Sequence, residues 1–229
     1  MYKKEITDVF FDLDHTLWDF DKNSMLAFER VLNKHNIEVN LKEFIAVYEP
    51  INFDYWKLFR EDKVTKLALR RGRLIDAFSE LNMKFEVSEI DQIAESYIDE
   101  LPGNNHLFKG AELILTYLKE RYFLHIITNG FDEVQRLKLE RSGIDKYFTT
   151  VTTSDEIGVK KPNPLIFHTA LKKAKTLAKS SIMIGDSFEA DILGAENIGM
   201  KTILYNYRKE SVPSKFNIID DLIELKRYL

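Results

Sequence analysis

Beyond about residue 101, short runs of apolar and β-branched residues alternate with stretches of helical periodicity, and this alternation limits the possible folds more than any other feature of the chain. Four runs read as strands: FLHIIT, FTTVTT, SIMIG and KTILY. A fifth, Val9–Phe11, lies near the N-terminus. Helices are expected at about 110–120, which buries Ala111, Ile114, Leu115 and Leu118, and at about 133–142, with Gly143 as a C-terminal cap. Others are expected at about 164–175 and 189–197, and a last helix closes the chain. Strands separated by helices pair in parallel, because a parallel neighbour is reached through a crossover long enough to hold a helix. Helices then cover both faces of the sheet. The expected fold class is α/β, with a Rossmann-like doubly wound parallel sheet.

Residues 20–100 break that rhythm. SMLAFERVLNKH, LALRRGRLIDAFSELN and SEIDQIAESYIDEL read as amphipathic helices, with no convincing alternating strand between them. Pro50 and Gly72 are the strong punctuation marks here, Gly72 as a break or a point of close packing. The simplest division is a core domain of residues 1–16 and 101–229, with a helical domain of residues 17–100 inserted after the first strand. Its place beside that strand's end suits a lid.

Composition narrows function by exclusion. The 229 residues contain no cysteine, which rules out disulfides and thiolate metal sites. No apolar run approaches the roughly 20 residues of a membrane span, and MYKKEITDVFFDL lacks the long apolar region of a signal peptide. A cytoplasmic protein with no membrane partner is expected. The formal net charge of −4 gives no general affinity for a nucleic-acid polymer.

An open α/β sheet binds ligands outside the carboxyl ends of its strands, so the residues just beyond each strand bear on function. The first strand leads into Asp12 and Asp14, and LHII into Thr128, Asn129 and Gly130. The third leads into SDEIGVKKPNP, which carries Lys160 and Lys161, and SIMI into GDSFEAD, which carries Asp186 and Asp191. Singly, each has an ordinary reading as a turn, a helix cap or a solvated loop. Together they form a coherent chemical set. Converging carboxylates without cysteine or histidine suit Mg²⁺. A hydroxyl, backbone N–H groups and a lysine complement an anionic tetrahedral group such as phosphate. One carboxylate can attack phosphorus, and a second can move protons to and from oxygen.

In this order, DLDHT, TNG, KKP and GDSFEAD resemble the four motifs of the haloacid dehalogenase-like hydrolases, and the helical insertion resembles that superfamily's C1-type cap. The resemblance implies Asp12 as nucleophile and Mg²⁺ ligand, and Asp14 as general acid and base whose backbone carbonyl also serves the metal. It implies that Thr128, with the Asn129 amide, holds the transferring phosphoryl group. Lys161 would neutralise charge, ahead of Lys160; Asp186 would complete the metal shell, with Asp191 positioning water or the lysine. His15 falls at a variable motif position and is expected to be structural. Asp14 argues for phosphoryl transfer, because cleavage of a carbon–halogen bond needs no protonated leaving oxygen.

Longer stretches, FFDLDHTLWDFD, ITNGFDEVQRLKLERSGIDKYF and EIGVKKPNPLIFHTAL, are similar to the YjjG-type pyrimidine 5′-nucleotidases of the superfamily. The implied substrate is a nucleoside monophosphate such as dUMP or dTMP. The alternative is a phosphatase or phosphomutase acting on a small sugar phosphate, since such enzymes share parts of these stretches. Receiver domains of two-component signalling fit less well, because their phosphorylated aspartate comes after the third strand.

Overall fold

The computed structural model describes residues 5–229. The chain divides into two compact units. One runs through Phe20 and resumes at Asn105–Leu229; the other is Asp21–Asn104.

The first unit is built on a six-stranded, wholly parallel sheet in the order β3-β2-β1-β4-β5-β6. Its strands are β1 (Asp8–Phe11), β2 (Phe123–Thr128), β3 (Phe148–Thr153), β4 (Ser181–Gly185), β5 (Lys201–Tyr205) and the short β6 (Ile218–Ile219). Strand β1 is central: Phe11 faces Ile126 of β2 on one side and Ile184 of β4 on the other. The strand order reverses between β1 and β4, which creates the topological switch point where ligands bind in such sheets. Residues Val9–Phe11 are fully buried, as expected of a strand covered on both faces. On one face Phe10, Ile127 and Met183 pack with Ile166, Phe167, Ala170 and Leu171, which lie in the helix Pro164–Ala174.

The second unit is helical, with α1 (Phe20–Lys34, entered from the first unit), α2 (Leu41–Arg60), α3 (Lys66–Glu80) and α4 (Val87–Glu100). Its core is aromatic. Phe28 stacks on Tyr97 at 4.2 Å and meets Tyr48 edge-on at 4.5 Å. Asn40 and Thr65 cap α2 and α3 through their side chains. Pro50 does not end a helix; it lies inside α2. Gly72 marks close packing, because a Cβ there would stand 2.5 Å from the Tyr55 ring. Among the described residues, no helix is long and apolar enough to cross a membrane.

Back in the first unit, the remaining helices are α5 (Ala111–Lys119), α6 (Asp132–Ser142), α7 (Ser154–Ile157), α8 (Pro164–Ala174) and α9 (Gly194–Glu196). Two expected helices take other forms. Residues 189–197 open with a π-helical turn, Phe188–Leu193, before the short α9. Such turns re-aim side chains at functional sites, and this one carries Asp191. The closing helix is a 3₁₀ turn, Leu222–Arg227, preceded by β6. Its buried residues Leu222 and Leu225 are three apart, a spacing that a 3₁₀ turn stacks on one side.

One buried polar network ties the sheet together. His125 of β2 bonds Asp8 of β1 through Nε2 (3.0 Å) and Thr150 of β3 through Nδ1 (2.8 Å). The Asp8 contact would suit an imidazolium, but burial outweighs it and lowers the His125 pKa below its ordinary 6.5. Unfolded, this histidine binds a proton below about pH 6.5 that the fold resists. Its contribution to stability is therefore full above that pH and lost as the pH falls, with a limiting slope of about 1.4 kcal/mol per pH unit. The unfolding free-energy difference between wild type and His125→Asn, from urea titrations between about pH 7.5 and 5.5, should shrink as the pH falls. A difference that widened with acid would contradict a neutral His125.

Candidate active site

The carboxyl edge of the sheet gathers the groups carried just beyond β1, β2, β3 and β4. Lys161 is at their centre. Only 2% exposed, its ammonium donates to Asp12 Oδ1 (2.5 Å), to Asp191 Oδ1 (2.7 Å) and to the Ile127 carbonyl (2.7 Å). Three donors thus meet three acceptors, which is what a buried ammonium requires. The backbone around Lys161 is clamped as well: its N–H donates to Asn129 Oδ1 (2.7 Å), and Asn129 Nδ2 donates to its carbonyl (3.0 Å). Lys161, rather than Lys160, is the lysine brought to Asp12.

Asp191 is completely buried and uses both oxygens, Oδ1 for Lys161 and Oδ2 as acceptor from the Ser187 N–H (3.0 Å). Gly185 makes room for it. A Cβ at Gly185 would lie 2.2 Å from Asp191 Oδ2, so the glycine of GDSFEAD is required by the carboxylate six residues on. Asp186 completes the group and accepts a bond from Thr16 Oγ1 (3.4 Å).

One oxygen each from Asp12, Asp186 and Asp191 lie within 4.8 Å of one another. A single lysine cannot neutralise three carboxylates in a buried site. Burial, opposed mainly by Lys161, lifts Asp12 to about 7. Burial, with the charges of Asp12 and Asp191 behind it, holds Asp186 well above the usual carboxylate range. Burial would lower Lys161, but Asp12 and Asp191 together raise it, so it stays charged. The surplus negative charge and the all-oxygen donor set fit a hard divalent cation.

Asp14 points elsewhere. Lys138 Nζ donates to its Oδ1 (2.6 Å), and Gln135 Nε2 donates to its Oδ2 (2.9 Å). Gln135 Nε2 also reaches Thr128 Oγ1 (2.7 Å), which accepts a second bond from the Gly130 N–H (3.1 Å). With both acceptor positions of the Thr128 hydroxyl occupied, its own proton is left to donate. A Cβ on Gly130 would stand 2.0 Å from Gln135 Nε2, so this glycine too makes room for a neighbouring side chain.

His15 adopts a left-handed backbone (φ +62°), and its Nδ1 meets the Tyr207 hydroxyl at 2.8 Å. Sequence reasoning passed over Thr16, Gln135 and Lys138. The available signal for the last two was a polar pair, three residues apart, on a helix face that otherwise buries Val134 and Leu139.

The sequence profile of the haloacid dehalogenase-like hydrolases matches residues 9–205. The pyrimidine 5′-nucleotidase YjjG of Escherichia coli strain K12 is 32% identical, with 90% of this chain and 88% of that protein aligned. A glyceraldehyde 3-phosphate phosphatase of Pyrococcus furiosus is 33% identical over 90% of this chain and 83% of its own. Among solved structures, the magnesium-bound HAD-hydrolase YfnB of Bacillus subtilis, described as revealing interdomain movement, superimposes with a TM-score of 0.89. It is 26% identical and covers 98% of this chain and 99% of its own.

Replacing Lys161 with Met removes the cation shared by two buried carboxylates. Urea unfolding of Lys161→Met should show a loss of about 3–5 kcal/mol relative to wild type, the cost of leaving buried charge uncompensated. A loss below about 1 kcal/mol would mean that the ammonium does not hold the site together.

Proposed function

The chain belongs to the haloacid dehalogenase-like hydrolases, and from that premise we propose that it is a Mg²⁺-dependent phosphomonoester hydrolase working through an aspartyl-phosphate. The observation that carries this reading is the placing of two aspartates, two residues apart, in different surroundings. Asp12 is gripped by Lys161 within the carboxylate group, while Asp14 stands apart on Gln135 and Lys138.

In the proposed first step an Asp12 oxygen bonds to phosphorus as the ester P–O bond breaks. The departing oxygen keeps the bonding electron pair and takes a proton from Asp14. In the second step water bonds to phosphorus, gives a proton to Asp14, and displaces the Asp12 oxygen. Phosphate is released and both carboxyl groups return to their starting states. The Thr128 hydroxyl donates to a phosphoryl oxygen. The Asn129 side chain is committed to the Lys161 backbone, so its backbone N–H is the group that joins Thr128. Lys161 offsets negative charge on Asp12 and the phosphoryl group. Asp12, Asp186 and the Asp14 carbonyl would hold Mg²⁺, which when bound supplies positive charge to the phosphoryl oxygens. Asp191 orients Lys161. The helical unit, inserted after β1, serves as a cap that excludes bulk water during transfer.

The proposed substrate is a (deoxy)pyrimidine nucleoside 5′-monophosphate such as dUMP or dTMP, which the similarity to YjjG supports. The comparable similarity to a glyceraldehyde 3-phosphate phosphatase supports a second reading, a small sugar phosphate. A phosphate-release panel with Mg²⁺ separates them: dUMP or dTMP should be preferred, EDTA should abolish turnover, and Asp12→Asn should reduce it at least about 1,000-fold. Preference for sugar phosphates would select the second reading. Normal turnover by Asp12→Asn would defeat the mechanism.

A further inference from the structure

Helix α6 turns Gln135 and Lys138 inward on one face. Gln135 is completely buried and Lys138 is 2% exposed. Together they hold both oxygens of Asp14, at 2.6 Å from Lys138 and 2.9 Å from Gln135. Lys138 is itself held in place by aromatic faces, its Nζ 4.2 Å from the Trp18 ring and 5.2 Å from that of Phe20. Gln135 Oε1 is buried with no hydrogen-bond partner.

For stability alone these are poor residues to bury. An unpaired buried acceptor costs about 1–3 kcal/mol. Apolar side chains that replace a buried ion pair are often neutral or stabilising. Both residues nevertheless converge on one carboxylate, and polar groups that break the rules of a core commonly mark a functional demand.

We propose that Lys138 and Gln135 are positioning residues that fix the Asp14 carboxylate for proton transfer. The proposal rests on the phosphomonoesterase reading and deepens it. Asp14 lies just beyond β1, next to the left-handed His15, and Lys138 and Gln135 are the donors that meet its carboxylate. Proton transfer needs the acid within about 2.6–3.2 Å of the ester oxygen, and a misplacement near 1 Å can cost about 100-fold. Two donors on one helix face fix both Asp14 oxygens. Because Gln135 also bonds Thr128, the proton carrier and the phosphoryl-binding hydroxyl share one frame. Each Asp14 oxygen keeps a second lone pair for the travelling proton.

The test compares wild type, Asp14→Asn, Lys138→Met, Gln135→Met and the double variant Asp14→Asn/Lys138→Met with Mg²⁺. The substrates are a nucleoside 5′-monophosphate and 4-nitrophenyl phosphate, whose leaving group departs without a proton. Lys138→Met should lower kcat on the nucleotide about 10- to 100-fold with KM within about threefold. Its pre-steady-state nitrophenolate burst should slow less than about threefold. Added to Asp14→Asn, it should change kcat by less than about twofold, because it acts through a group already lost. Gln135→Met should also lower kcat on the nucleotide but disturbs Thr128 as well, so Lys138→Gln, which leaves the Gln135–Thr128 bond in place, carries the test if Lys138→Met does not fold. Wild-type kcat in both variants, a nitrophenolate burst slowed as much as kcat on the nucleotide, or a full multiplicative loss in the double variant would each overturn the proposal. A wild type that releases no phosphate overturns the underlying reading as well, so the two failures are distinct.

Discussion

The Lys161 ammonium is the interaction on which the site depends. Its three acceptors come from the ends of β1 and β2 and from the turn after β4, so one side chain joins groups far apart in sequence. Much else in the first unit serves to supply those acceptors. Gly185 must lack a side chain because Asp191 fills that space. The chain after Ser187 winds as a π-helical turn, which brings Asp191 back to the Ser187 N–H and to Lys161. Asn129 uses its whole amide to hold the Lys161 backbone in register. The lysine organises the site without neutralising it, however. Two of the three carboxylates remain displaced upward in pKa, which is the electrostatic signature of a place that needs another cation.

Legibility in the sequence is governed by how local each signal is. The strands FLHIIT, SIMIG and KTILY are legible because strands buried on both faces need mostly apolar residues, and the edge strand FTTVTT because its residues are largely β-branched. The groups at their carboxyl ends can be read for the same reason, since parallel topology puts all those ends on one edge. The turn at Phe188–Leu193 was not legible, because over six residues apolar spacing does not separate a π-helical turn from an α-helical one. The 3₁₀ close at Leu222–Arg227 escaped for a similar reason: apolar spacings of three and four occur in both kinds of helix. The roles of Gln135 and Lys138 were hidden further still. On a helix of mixed polarity a glutamine and a lysine read as solvent-facing, and their spacing beside Val134 and Leu139 is a weak signal that names no partner.

The two aspartates after β1 pose a problem that the fold solves by separation. Like charges about 4 Å apart at an effective dielectric of 20 repel by about 4 kcal/mol, enough to move a proton from one carboxylate to the other. Here each carboxylate has its own buried lysine, Lys161 for Asp12 and Lys138 for Asp14, delivered by different segments. The partners also differ in kind. Lys161 is shared with Asp191 and a backbone carbonyl, and so ties Asp12 into the carboxylate group. Lys138 stands over the Trp18 ring, and its neighbour Gln135 leads to Thr128. In the proposed mechanism one aspartate must bond to phosphorus while the other exchanges protons, and those tasks conflict if the groups share an environment. Asymmetric surroundings assign the tasks before any substrate arrives, which is the sense in which such a site is preorganised.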